Sequence, residues 1–279
     1  MYKVVIDSCG ELTKELSADE RFVNVPLELE VGGVRIVDDA SFDQADFIRR
    51  VNECPTSPIS SCPAPQSFLE QYECGAENVY AVTLSDKLSG SYNSAKVAAD
   101  LYKEEHDDDK NIYVFDSKSA SIGETLIGIK IKELEEAGYA FKEVVEKVEE
   151  YIASMHTYFV LETLETFRKS GRISNPKYFI ANTLNIKPIM GSTDEGSIQQ
   201  LGQSRGMKKA LEKMVDIMLQ TTKNTEQKIL AISHCNCEDR AQYVKECIEK
   251  VAKFKDIIIL NTAGVSTMYA NDGGVIMAV

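Results

Sequence analysis

Two short segments place serines in turns, where their hydroxyl groups are suited to binding a small anion. In "CPTSPISSCPAPQSFLEQY" (54–72), Ser57, Ser60 and Ser61 stand among four prolines that restrict the backbone to an extended path. The second segment, Ser89-Gly90-Ser91, follows a strand-like run and opens an apparent helix. Because a helix N-terminus carries free N–H groups and a partial positive charge, it favours a bound anion. The two segments together predict an anion-binding site.

Simpler interpretations of the same residues stay open. Serine often only caps a helix, and a proline-rich segment is often only a connection between strands. Nucleotide binding is disfavoured, since neither GxxxxGK[ST] nor GxGxxG occurs in the chain. Hydrolysis by an activated serine is disfavoured as well, since no serine of these two segments stands in a GxSxG pattern.

Composition narrows the possible partners. The chain has 279 residues and is 43% hydrophobic, enough for a large core that tends to divide into two domains. Its formal charge of −13 repels nucleic acid and anionic membranes, and no apolar run is long enough for stable membrane insertion. The seven cysteines form no CxxC pair and the first residues do not resemble a signal peptide. We therefore expect a cytoplasmic protein with reduced thiols.

No metal site or cofactor is expected. His234, Cys235 and Cys237 are the strongest candidates for metal ligands. Their short spacing and the lack of a second ligand pair instead favour a strand end and a loop. His106 stands in a charge run and is interpreted as a solvated side chain, and His156 has no evident Asp, Ser or Cys partner in the sequence.

The pattern of hydrophobic residues predicts an α/β fold. Short β-branched and aromatic runs at 2–8, 78–85 and 111–117 each close on a serine and precede helix-like stretches, which is typical of a parallel sheet. Serines followed three residues later by Glu or Gln predict helix starts at Ser8, Ser41 and Ser121. Beyond about residue 155 strand-like and helical segments mix, so we expect a three-layer N-terminal domain over 1–155 and a C-terminal domain with a mixed sheet over 156–279.

Eight motifs in a fixed order resemble the DegV family over nearly the whole chain. They are "VIDSCGEL", "SSCPAPQSF", "LSGSYNSA", "VFDSKSAS", "TLETFRKSGRIS", "NIKPIMG", "ISHCNCEDRA" and "YANDGGVIMAV". The resemblance implies a two-domain α/β protein that encloses a long-chain fatty acid between its domains and presents it to a separate fatty acid kinase. Such a protein is not itself an enzyme.

The resemblance also implies residue roles. The carboxylate would be held by Ser60 and Ser61 in the proline-rich segment and by the Ser89-Gly90 turn. Tyr269 stands where the family has a histidine, and Ser60 where it has a threonine. A phenol still donates one hydrogen bond but does not become a cation near neutral pH.

Arg172, in "SGRIS", matches an arginine of the family that docks the kinase, although Ser170 replaces a family glycine nearby. A local role for Arg172 in holding its own loop remains the alternative. For the protein as a whole, the alternative is an enzyme that acts on a small acid or phosphate at the same serine-rich site, with Tyr269 as proton donor.

Overall fold

The computed structural model describes residues 1–173 and 185–279. Their strands are β1 (Tyr2–Asp7), β2 (Phe22–Val25), β3 (Glu28–Val31), β4 (Val34–Val37), β5 (Ile59–Ser61), β6 (Asn78–Thr83), β7 (Asn111–Asp116), β8 (Thr157–Val160), β9 (Ile186–Ser192), β10 (Ile198–Arg205), β11 (Ile229–His234), β12 (Asp256–Asn261) and β13 (Val275–Ala278). Their α-helices are α1 (Lys14–Ser17), α2 (Gln44–Glu53), α3 (Pro65–Tyr72), α4 (Ser91–Glu105), α5 (Ile122–Glu136), α6 (Phe141–Ser154), α7 (Glu165–Lys169), α8 (Met207–Thr221), α9 (Glu238–Glu249) and α10 (Gly264–Ala270).

The strands form three sheets. The first has the order β2-β1-β6-β7 and is parallel throughout, as the repeated strand-and-helix pattern predicts. The second has the order β10-β9-β8-β13-β11-β12 and is mixed, since only the β11–β12 pair is parallel. These two sheets confirm the predicted fold class. A small antiparallel sheet, β4-β3-β5, was not predicted.

Helix α5 joins the two large sheets in one hydrophobic core. Ile122, Leu126 and Ile131 of this helix pack in one cluster with residues of both sheets, such as Ile6 and Ala231. Because residues 122–128 of α5 are all buried, the first half of this helix fits a position between two layers. Helices α3 and α4 cover the other face of the first sheet, and α8 and α9 cover that of the second.

The helix starts differ from the prediction at two of three serines. Thr13 caps α1, accepting a hydrogen bond from the Leu16 N–H, and Asp43 caps α2. The Ser8 hydroxyl instead donates to Asp38 at 2.9 Å. These caps were missed because the predicted pattern also occurs where the chain continues as a loop. In the part of the chain that the structure describes, no helix is both long and apolar enough to cross a bilayer.

Candidate functional site

A cavity of about 360 Å³ lies where the ends of the first sheet, the small sheet and α10 meet β8 and β9. This volume is at the lower end of the range for small-molecule pockets, roughly 300–1,000 Å³. The large apolar side chains on its wall are Leu27, Leu84, Leu88, Phe159, Leu161, Phe167, Ile198, Val265 and Ile276. The cavity is therefore suited to an apolar ligand.

Ser60 and Tyr269 meet on the wall of this cavity. Their hydroxyl oxygens are 3.3 Å apart, although the two residues lie 209 positions apart in the sequence. Ser60 is in β5 opposite the buried Leu29 of β3, so its side chain faces inward. The Tyr269 ring packs on Phe167 with the ring centroids 4.7 Å apart. The small sheet and α10 thus bring together two of the residues that the sequence placed in one site.

Ser61 also lines the cavity, but its side chain is exposed. Successive side chains of a strand point to opposite faces, and Ser61 pairs with Glu28, on the opposite face of the small sheet from the Ser60–Leu29 pair. We therefore infer that Ser61 offers its main chain rather than its hydroxyl to the cavity. Ser57 is not among the described residues that line it.

Ser89 and Gly90 line the cavity at the start of α4. The Ser89 hydroxyl accepts a hydrogen bond from the Ser91 N–H at 3.2 Å and lies 3.0 Å from the Ser91 hydroxyl. Ser89 therefore does stabilise the start of its helix, as the simpler interpretation expected. A Cβ at Gly90 would lie 2.9 Å from the Cys62 sulfur, so a glycine here allows this turn to approach the proline-rich segment closely.

Arg172 is half-buried on the cavity wall. Its Nε donates to the Leu88 carbonyl at 3.2 Å and its Nη1 donates to the Ser170 carbonyl at 2.8 Å. Its guanidinium carbon lies 6.0 Å from the centre of the Tyr269 ring. The arginine therefore both holds its own loop and brings a positive charge to the part of the cavity where Ser89 and Tyr269 lie.

Four buried carboxyl groups lie close behind another part of the wall, and sequence reasoning did not single them out. They are Asp7, Glu11, Asp38 and Glu124. Burial raises the pKa of Glu11 to about 7 and that of Asp38 to about 6, and it also raises the pKa of Asp7. Burial, with the nearby charge of Asp7, raises the pKa of Glu124 well above its usual range. In the sequence, the only signals of these carboxyl groups were an Asp-Ser pair after a strand and a Glu at the start of a helix.

Two of these carboxyl groups and the neighbouring Cys9 thiol could offer ligand atoms to a metal ion. Atoms of Asp7, Cys9 and Glu124 lie within 4.8 Å of one another. However, Asp7 already accepts the N–H groups of Cys9 and Leu84, and burial raises the pKa of the Cys9 thiol well above its usual range. A neutral thiol is a poor metal ligand. Since neither oxygen of Glu124 has a donor among the described residues, we interpret Glu124 as a neutral carboxyl group beside Asp7.

The other candidate ligands lie elsewhere. His234 ends β11, and its Nδ1 accepts a hydrogen bond from the Cys237 N–H at 3.3 Å, so this segment is the strand end and loop that the sequence favoured. All seven cysteines are free.

Fold and site define a class: an α/β protein whose sheets enclose an apolar cavity, with hydroxyl groups and an arginine on one part of its wall. The model of the DegV family matches residues 1–278. A DegV domain-containing protein of Streptococcus pneumoniae is 34% identical over 256 residues, which cover 92% of this chain and 90% of that protein. The chain therefore belongs to the DegV family.

Solved structures of the family share the whole fold. A DegV family protein from Ruminococcus gnavus, with vaccenic acid, is 49% identical with a TM-score of 0.97, covering 100% of this chain and 99% of that one. The Streptococcus pneumoniae Fatty Acid Kinase (Fak) B3 protein, loaded with linoleic acid, is 31% identical with a TM-score of 0.89, covering 100% and 98%. A DegV family protein from Eubacterium eligens, loaded with heptadecanoic acid, is 25% identical with a TM-score of 0.90, covering 100% and 99%.

Proposed function

We propose that this protein binds one long-chain fatty acid in the cavity and presents it to a separate fatty acid kinase without carrying out chemistry itself. The observation that carries the proposal is the meeting of Ser60 and Tyr269, 3.3 Å apart, on the wall of a largely apolar cavity. Related structures with vaccenic, linoleic and heptadecanoic acids support it.

The head group would be held by neutral donors and one cation. A carboxylate removed from water is strongly destabilised unless it is hydrogen-bonded. Ser60 and Tyr269 supply hydroxyl groups, the Ser89-Gly90 turn supplies the start of α4, and Ser61 supplies its main chain. Arg172 adds a positive charge about 6.0 Å from the Tyr269 ring. Because Tyr269 replaces a family histidine, these groups bind the carboxylate without a protonated histidine.

The acyl chain would supply most of the affinity. Each buried methylene contributes about 0.8 kcal/mol, so a long chain gains far more from the apolar wall than one hydrogen bond gives to its head group. Differences in affinity appear mainly in the dissociation rate. The high affinity for a long acyl chain therefore implies that the ligand dissociates slowly.

Presentation to a kinase rests on the likeness to the Fak B3 protein and on the place of Arg172. We infer that residues 1–155 and 156–279 form two domains with the ligand between them, and that the kinase docks at Arg172, where the ligand's carboxylate would be nearest. The seven free cysteines are consistent with the cytoplasm as the place where this happens.

An enzyme acting on a small acid is the weaker alternative. Tyr269 would need a group to exchange protons with, yet no Asp, Glu or His is among the described residues that line the cavity. Its only hydrogen-bonded side-chain partner among the described residues is Ser60, whose hydroxyl group is a poor base at neutral pH.

Mass spectrometry of the organic extract of purified protein tests the proposal directly. Protein that has been expressed and purified without added lipid should yield about one fatty acid per chain, because slow release retains the ligand. Protein that yields no lipid, and that takes up no fatty acid when one is added, would refute fatty-acid binding.

A further inference from the structure

The cavity wall carries a second group of hydroxyls that the head group does not use. Ser119 follows β7, Thr157 begins β8 and Ser192 ends β9, and all three line the cavity. The Ser119 and Thr157 hydroxyl oxygens are 2.6 Å apart, and the Thr157 N–H donates to the Ser192 hydroxyl oxygen at 3.2 Å. We call these three residues the hydroxyl trio.

The trio is separate from the head-group residues. Among residues 1–173 and 185–279, no hydrogen bond joins Ser119, Thr157 or Ser192 to Ser60 or Tyr269. A purely apolar acyl chain would cover these hydroxyls without offering them a partner, and an unpaired polar group that loses its water is destabilising.

Counting hydrogen atoms shows which hydroxyl has a hydrogen to spare. Within the Ser119–Thr157 pair one hydroxyl donates to the other, and Ser119 lies 3.4 Å from the Ala120 carbonyl as a second acceptor. The Ser192 oxygen accepts the Thr157 N–H, but its own O–H finds no acceptor in the described part of the chain. The Ser197 hydroxyl, also on the cavity wall, likewise has no hydrogen bond there. At least one donor is therefore left for a ligand.

We propose that the preferred ligand is an oxygenated fatty acid, one that carries a hydroxyl or keto oxygen along its acyl chain, and that Ser192 donates to that oxygen. The proposal rests on fatty-acid binding in this cavity and makes the substrate class narrower. Thr157 acts as a positioning residue, since its N–H holds the Ser192 oxygen and so leaves the Ser192 O–H to point elsewhere. A chain oxygen of this kind gives the Ser192 O–H an acceptor, which a saturated chain does not offer.

Displacement titrations with a fluorescent fatty acid test this. They compare octadecanoic acid with its monohydroxy derivatives, including 10-hydroxy- and 12-hydroxyoctadecanoic acid, because the position of the trio along the bound chain decides which isomer fits. We expect at least one derivative to bind roughly twofold to tenfold more tightly than octadecanoic acid, the range that one neutral hydrogen bond gives. Ser192→Ala should abolish this preference, lowering the affinity for the favoured derivative to about that for octadecanoic acid.

Two further variants make the result specific. Ser204→Ala, on β10 and outside the cavity lining, should keep the preference, and Ser60→Ala should weaken all the acids by a similar factor. Equal binding of octadecanoic acid and every derivative by the unaltered protein would overturn the oxygenated-ligand proposal while leaving fatty-acid binding intact. An equal loss for all acids in Ser192→Ala would overturn it as well. If no acid binds, fatty-acid binding itself is wrong.

Discussion

Replacing Tyr269 by phenylalanine removes one hydroxyl with little change in shape, because the ring is held by Phe167. The expected size of the effect follows from the hydrogen atoms of the Ser60–Tyr269 pair. Two hydroxyls carry two hydrogens, and if one forms the 3.3 Å bond between them, only one is left for a carboxylate. In Tyr269→Phe, the freed Ser60 hydroxyl can take over that role.

The single and double variants should therefore differ. Tyr269→Phe loses roughly one neutral hydrogen bond, about 1 kcal/mol, so the dissociation constant for octadecanoic acid should rise about fivefold. Tyr269→Phe combined with Ser60→Ala removes that neutral bond, about 1 kcal/mol, and also the donor to the charged group, about 1.5 to 3 kcal/mol, so the dissociation constant should rise roughly sixtyfold to several hundredfold. The double loss should exceed the sum of the two single losses in free energy.

Isothermal titration of delipidated protein with octadecanoic acid and its methyl ester provides the measurement. The uncharged ester should lose less than the acid in the double variant, since a bond to a neutral acceptor is weaker. Equal losses for acid and ester would mean that these hydroxyls contribute packing rather than head-group recognition. Single losses that add up to the double loss would mean that each hydroxyl donates to the ligand separately.

Three other predictions can be tested by substitution. In the same titration, Ser60→Ala should weaken binding of the acid severalfold and Ser61→Ala should change it less than twofold, because only the Ser60 side chain faces inward. Equal effects of the two variants would refute the assignment of Ser60 and Ser61 to opposite faces of the small sheet. Arg172→Ala should lower kinase-dependent acyl phosphate formation more than it lowers lipid content, and Arg49→Ala on α2 serves as the control. An equal loss of acyl phosphate formation and lipid content in Arg172→Ala would make Arg172 purely a ligand-binding residue. Burial raises the pKa of Glu11 from 4.5 to about 7. The stability that this group contributes is fully present below pH 4.5 and is lost between pH 4.5 and about 7, at most about 3 kcal/mol in total. Denaturant unfolding of the protein and of Glu11→Gln between pH 5 and pH 8 should show the difference, and parallel pH profiles would refute it.

Much of the fold could be predicted because its signals are local. The strands that begin at Tyr2, Asn78 and Asn111 are continuous apolar runs, as strands buried on both faces are, and a parallel order follows from the helices between them. The small sheet was missed because its strands have three or four residues each, and because the pairing of β5 with β3 joins segments far apart in the chain, although β3 and β4 are neighbours. Short strands of this kind give no reliable periodicity.

The sequence predicted which residue types form the site, but it did not predict how their side chains are oriented. Ser60 and Ser61 look equivalent in sequence, and only the pairing of β5 with β3 shows that their side chains point to opposite faces. The raised pKa of Glu11 depends on its complete burial by residues from distant parts of the chain, which no local pattern reveals. The hydroxyl trio was hidden for the same reason, since Ser119, Thr157 and Ser192 come from three separate segments.

The distribution of charge around the cavity determines which end of the cavity the ligand's carboxylate occupies. Ser121 lines the wall, but its hydroxyl donates to both oxygens of Glu11 at 2.9 Å and so is already committed to a carboxyl group. A second carboxylate placed beside Ser121 would meet the partly ionised Glu11, although Lys118 also lines the cavity. Near Tyr269, in contrast, the anion meets Arg172 and hydroxyl groups. We therefore expect the carboxylate to bind on the Arg172 side, which leaves the neutral part of the chain to pass the hydroxyl trio and the buried acids.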